Sequence, residues 1–164
     1  MLAARPDAVA AAIGSAPAAR HLAAVRRAQL HALEHELVAG PVLATAASVV
    51  DYYRARLAHR AEEEMRALYL NVANRPVGEA LVARGTVDSC TIYPRTVLQR
   101  GFECGAAAVI LVHNHPSGDP SPSRADGRAT RDLALAARIC DLTLLDHIIV
   151  SRTGHRSLRA EGLF

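Results

Sequence analysis

The sequence predicts an α/β fold, on three observations. Up to about residue 60 the apolar residues recur at helical spacing. Residues 107–112 then form a continuous apolar run, the mark of a strand buried on both faces. Beyond it, a loop dense in Pro, Gly, Ser and Asp is followed by an amphipathic helical pattern and a second apolar run at 142–151.

Taken in order, residues 18–37 predict a helix whose apolar face is Leu22, Val25, Leu30, Leu33 and Leu37, stopped by Gly40-Pro41. A second helix is expected over 45–57, with Val49, Val50, Tyr53 and Leu57 on one face. Residues 65–72 read as a strand, Asn74-Arg75-Pro76 as a turn and 77–85 as a second strand. Pro94 suits the first turn of a short helix over 94–104. The strand at 107–112 is followed by a helix over 123–140, amphipathic through Leu133, Leu135, Ala136 and Ile139. After the buried strand at 142–151, Arg152-Thr153-Gly154 turns the chain into a short last strand. There are no internal repeats. The division expected is a helical segment over 1–41 and an α/β domain over 42–164.

The 164 residues suffice for one domain with a real core. Half are apolar and a fifth charged, as in an ordinary globular protein. All 19 fixed basic charges are arginine, and the net charge of +3 permits weak contact with nucleic acid without arguing for it. Three scattered cysteines, Cys90, Cys104 and Cys140, make neither a disulfide framework nor a zinc ribbon. A reducing cytoplasm is therefore the expected location, and Cys104 and Cys140 read as small core residues. The run Val9-Ala10-Ala11-Ala12-Ile13 imitates a signal peptide, but it is short and follows Asp7, so it reads as a helix. No stretch approaches the roughly 20 apolar residues of a membrane span.

The chemistry sits in the loop from His113 to Asp126. His113 and His115 are two apart at a strand end, so their side chains share one face with Cα atoms roughly 6.5 Å apart. Two imidazoles so placed can converge on one ion, while Asn114 points the other way. Alone, H-x-H is better explained by two exposed or satisfied histidines. Asp126 adds weight, because it falls in the first turn of the next helix, where the dipole favours an ionised carboxylate. Two histidines and one aspartate leave a tetrahedral zinc one open position, the pattern of a catalytic site. A plainer reading stands beside this. Ser123-Arg124-Ala125-Asp126 is also a capping box, and Ser123 can serve as a cap or as a donor to a developing oxyanion.

The order H-x-H, loop, S-x-x-D resembles the JAMM metalloprotease motif. In its full form, His-Asn-His-Pro-Ser-Gly-Asp-Pro-Ser-Pro-Ser from His113 to Ser123 resembles the bacterial RadC family. Arg84-Gly85-Thr86, Pro94-Arg95, the run Leu145-Asp146-His147-Ile148-Ile149-Val150, and Ser157 with Glu161-Gly162-Leu163 resemble further segments of it. The resemblance implies a JAB/MPN fold, similar to cytidine deaminases, with a curved mixed sheet flanked by helices. It implies Zn2+ held by His113, His115 and Asp126, and a glutamate opening an early strand as general base on water. Glu63, followed by Glu64 and Met65, fits that register; Glu64 is the second choice and Glu79 a weaker one. Thr96 stands where such proteins carry glutamate. Their usual helix-hairpin-helix module is reduced here to Ile13-Gly14-Ser15-Ala16-Pro17-Ala18, which implies a structural helical cap more than a DNA-binding element.

The activity so implied is metal-dependent hydrolysis of a peptide or isopeptide bond in a peptide or protein substrate. The competing expectation is a DNA repair or recombination accessory that binds nucleic acid around a non-catalytic metal. Arg20, Arg26 and Arg27 would supply its charge, although a solvated helix face explains them better. His147, beside Asp146 in a buried strand, reads as a satisfied core histidine, with support of a metal ligand as the alternative.

Overall fold

The computed structural model describes residues 6–39, 46–85 and 92–164. Ten elements follow in order: α1 (Pro6–Ile13), α2 (Ala16–Ala39), α3 (Ala46–Leu57), β1 (Glu63–Leu70), β2 (Pro76–Gly85), α4 (Pro94–Glu103), β3 (Ala108–Asn114), α5 (Arg124–Ile139), β4 (Thr143–Val150) and β5 (His155–Ser157). Gly40-Pro41, Thr45, Thr86 and Cys90 lie outside the described residues. Among the described residues no helix is long and apolar enough to cross a membrane.

The five strands form one mixed sheet in the order β2-β1-β3-β4-β5. β1 is antiparallel to both β2 and β3, β3 and β4 run parallel with α5 between them, and β5 returns antiparallel to β4. This is the mixed α/β architecture the sequence implies. β1 begins at Glu63 and ends at Leu70, two residues ahead of expectation at each end. Asn71 ends it: its Oδ1 accepts from the backbone N–H groups of Ala73 and Arg75, and Asn74 takes a left-handed φ of 54° in the turn. β3 runs two residues past the apolar stretch, to Asn114.

Strand alternation divides the core between the two faces of the sheet. Leu68, Leu70, Ala108, Val112, Ile148 and Val150 pack with Leu37 of α2 and Val49, Val50, Tyr53 and Leu57 of α3. On the other face Met65, Ala67, Tyr69, Val109 and Leu111 pack with Val97 of α4 and Leu133 and Ala137 of α5. The second face carries the site.

Two helical faces differ from expectation. On α5 the buried residues are Gly127, Thr130, Leu133 and Ala137, whereas Leu135 and Ile139 are 54% and 74% exposed. A glycine and a threonine belong to the buried stripe, so the apolar pattern points to a face rotated from the real one. On α2 only Leu30, Leu33 and Leu37 of the expected face turn inward, and Leu22 and Val25 are exposed. Only the C-terminal end of α2 reaches the core shared with α3, and the eight residues of α1 pack against α2 without covering those two. Cys104 and Cys140 are free, half-buried residues at the C-caps of α4 and α5.

Candidate metal centre

β3 delivers His113 and His115 to the α5 face of the sheet, in the same alternation as Val109 and Leu111. The backbone N–H of His115 donates to Val150 O, so β4 keeps the chain extended past the end of β3. β1 delivers Glu63 to the same face as Met65 and Ala67. α5 brings Asp126 across in its first turn. One oxygen or ring nitrogen from each of Glu63, His113, His115 and Asp126 lies within 4.8 Å of all the others.

The same alternation separates the three neighbouring glutamates. Glu64 turns to the α3 face and is only 1% exposed, with Arg60, Arg66 and Arg84 at 3.4, 3.2 and 3.2 Å. Glu79 lies on that face too, pairing with Arg56 and Arg66 and accepting from Tyr53 Oη. Glu62 is exposed. Of the glutamates weighed from sequence, the structure brings Glu63 alone to the histidines.

Asn114 fixes that placement. The β1–β3 ladder ends at the pair Met65 and His113. Beyond it the Asn114 side chain takes over, accepting from Glu64 N–H at 2.9 Å and donating through Nδ2 to Glu62 O at 3.1 Å. The backbone is thus held on both sides of Glu63, whose carboxyl is drawn inward at 8% exposure.

The loop between the histidines and α5 is held equally well. Thr153 donates to Gly118 O at 2.7 Å, and Arg152 donates to Pro116 O and Ser117 O. Gly118 has φ +98°, which an L side chain rarely adopts, and a Cβ there would meet the Arg152 guanidinium at 3.3 Å. At the loop's end Ser123 caps α5. Its Oγ accepts from Asp126 N–H and donates to Asp126 Oδ2 at 2.6 Å, and Oδ2 also accepts from Ser123 N–H. The capping box is therefore real, and Asp126 still reaches the histidines: Oδ1 lies 3.5 Å from His113 Nε2 and Oδ2 lies 3.7 Å from His115 Nε2.

Charge and hydrogen-bond direction test whether these residues fit a cation. Among the described residues neither Glu63 nor Asp126 has an arginine within ion-pair distance; their only basic neighbours are His113 and His115. Burial holds the pKa of His113 below the ordinary histidine value, so that ring is neutral. His115 Nδ1 meets the carbonyl oxygen of Asp119 at 2.9 Å, and a carbonyl can only accept, so the Nδ1 proton is spent there. Its Nε2 is the nitrogen turned to the cluster and faces His113 Nε2 at 3.0 Å. Two carboxylates and two ring nitrogens converging at a half-buried position are a donor set that fits a cation. A tetrahedral ion with ligand bonds of about 2.0–2.2 Å has edges of about 3.3–3.6 Å; the nearest approaches here bracket that range, with 3.0 Å between the two histidine Nε2 atoms, 3.5 Å from His113 Nε2 to Asp126 Oδ1 and 3.7 Å from His115 Nε2 to the other oxygen, Oδ2. Glu63 Oε1 lies 3.7 Å from His113 Nε2, beside those donors. Burial raises the Glu63 pKa, with His115 opposing the shift and Asp126 adding to it.

His147 was expected to be a core histidine, and it is fully buried, but its Nε2 lies 2.7 Å from His113 Nδ1. Thr130, which nothing in the sequence reading singled out, lies 2.6 Å from His147 Nδ1. Its place four residues after Asp126, one helical turn on, was the available signal. Asp146 does not support the His147 ring: it accepts from the backbone N–H groups of His147 and Arg159 and from Ser157 Oγ, tying β4 to the C-terminal turn.

A mixed sheet flanked by helices, with two strand-borne histidines, a helix-borne aspartate and a strand-opening glutamate converging on one face, defines a JAB-type domain with a possible metal site. The family model of the RadC-like JAB domain matches residues 43–163, and the chain belongs to that family. It is similar to a UPF0758 protein of Rhodobacter capsulatus, 45% identical over 123 residues, which cover 75% of this chain and 58% of that protein. The chain thus spans less than two thirds of the length of the curated relative it matches.

Proposed function

We propose that the protein is a zinc-dependent hydrolase of the JAMM type, cleaving a peptide or isopeptide bond with an activated water. The observation that carries this reading is the Glu63, His113, His115 and Asp126 cluster, whose carboxylates lack any arginine partner among the described residues. His113, His115 and Asp126 would hold the ion. Bound there, zinc supplies Lewis acidity, which acidifies water and polarises a carbonyl.

The chain's own residues do the rest. Glu63 takes a proton from water on a carboxylate oxygen as the water oxygen bonds to the carbonyl carbon. Its raised pKa suits it to hold that proton and then deliver it to the leaving amine as the C–N bond breaks. Ser123, at the exposed mouth of the cluster, can turn its hydroxyl from Asp126 Oδ2 toward the developing oxyanion.

Zinc content and hydrolysis test the two halves separately. Purified protein should carry one equivalent of zinc, and His113→Ala should lose it. Glu63→Gln should keep the zinc and lose hydrolysis of quenched-fluorescent linear and lysine-linked peptides by about 10²-fold or more. Failure of the wild-type protein to take up zinc, or full activity in Glu63→Gln, overturns the reading.

A further inference from the structure

We propose that His147 and Thr130 are positioning residues, a directional hydrogen-bond relay that holds His113 in its metal-ready tautomer, with Nδ1 protonated and Nε2 bare. The relay rests on the metal reading above and extends it to residues away from the ion.

Its direction follows from one carbonyl. Thr130 Oγ1 lies 2.6 Å from Asp126 O and 2.6 Å from His147 Nδ1. A hydroxyl has a single proton, and the carbonyl oxygen can only accept, so that proton goes to Asp126 O. Toward His147 the threonine oxygen must then accept, which places a proton on His147 Nδ1. A neutral imidazole carries one N–H, so His147 Nε2 is bare and accepts from His113 Nδ1 at 2.7 Å. The one remaining nitrogen, His113 Nε2, has no proton and faces His115, Asp126 and Glu63. The opposite tautomer of His113 would direct an N–H into the cluster and block the ligand position.

His113, His147 and Thr130 are all fully buried, so reversing one bond leaves a buried donor or acceptor unpaired. The relay also closes on itself. It begins at the backbone of Asp126 on α5, passes through β4 and ends at His113 on β3, so the ligand-bearing helix and strand are registered against each other. Metal-ligating histidines generally donate their second ring N–H to a fixed acceptor. Here that acceptor is a second histidine, itself oriented by the helix that brings Asp126.

Two measurements on the full chain test this. Long-range 1H–15N spectra of the metal-free wild-type protein separate protonated from bare ring nitrogens. They should show His113 and His147 both protonated at Nδ1. Competition with a chromophoric chelator gives zinc affinity: Thr130→Val should weaken it about 10- to 100-fold, and Thr130→Ser, which keeps the hydroxyl, should restore it. A merely structural role for Thr130 would lower stability and leave the His113 tautomer unchanged. His113 protonated at Nε2 in the wild type overturns the relay, as does unchanged affinity in a folded Thr130→Val. Should the wild type bind no zinc, the metal reading fails, and the ring spectrum still decides the relay.

Discussion

Asp126 has two carboxylate oxygens and two sets of partners. Oδ2 is occupied by the Ser123 backbone and hydroxyl, while Oδ1 is turned to His113. The capping box and the ligand role, which looked like alternatives in sequence, are therefore one arrangement: the cap aims the carboxylate. Ser123→Ala should cost about 1 kcal/mol of stability through loss of the cap. If Ser123 also serves the oxyanion, kcat should fall about 10²–10³-fold at unchanged zinc content. A kcat within threefold of wild type confines Ser123 to capping. The choice among Glu62, Glu63 and Glu64 was legible only through the family register. Three identical side chains in a row carry no pattern, and what separates them is strand parity, which depends on pairing with β3. Thr130 and His147 were hidden for a related reason. A buried polar residue looks ordinary until its partner on another element is known.

At the scale of elements, β1 and β3 were legible in kind but not in extent. The apolar run ends at Val112, yet β3 continues through His113 and Asn114 because β1, β4 and the Asn114 side chain supply its partners. Asn114→Ala removes both clamps on β1; Glu62 C=O, on an exposed residue, can turn to water, but the buried Glu64 N–H is left without that partner at about 1–3 kcal/mol. With the strand opening released, Glu63 should lose its fixed approach to His113. Hydrolysis should fall about 10²-fold, the cost of a misplacement near 1 Å, while zinc content is kept, since His113, His115 and Asp126 are untouched. Simultaneous loss of zinc in a folded variant would mean that Asn114 supports the histidines instead of Glu63. The α5 face was misread because hydrophobicity alone ranks Leu135 and Ile139 above Gly127 and Thr130. The helix obeys hydrogen bonding to His147 and close packing on the sheet.

Across the whole molecule the two faces of the sheet handle buried charge in opposite ways. On the α3 face Glu64 and Glu79 are neutralised by arginines of the chain itself. On the α5 face the basic groups that Glu63 and Asp126 meet among the described residues are His113 and His115; burial keeps His113 neutral, and likewise His147 behind it. Stability on that face should therefore depend on metal and on pH. Without metal, both histidines have pKa values below their unfolded value of about 6.5, with burial the first cause. Below pH 6.5 the unfolded chain binds protons that the folded chain refuses, so stability falls as pH falls. Two such groups give a slope approaching about 2.7 kcal/mol per pH unit. Zinc at about a hundredfold above its Kd should add about 2.7 kcal/mol at neutral pH, which for a chain of this size raises Tm by about 5–10 °C. Chelator should reverse the gain, and His113→Ala should abolish it. Thermal unfolding of chelated and zinc-loaded protein between pH 5 and 7.5 checks both effects. A Tm that is flat with pH in the chelated protein would mean that His113 and His147 are not buried as neutral rings. A Tm indifferent to zinc would mean that the α5 face balances its two carboxylates without a metal.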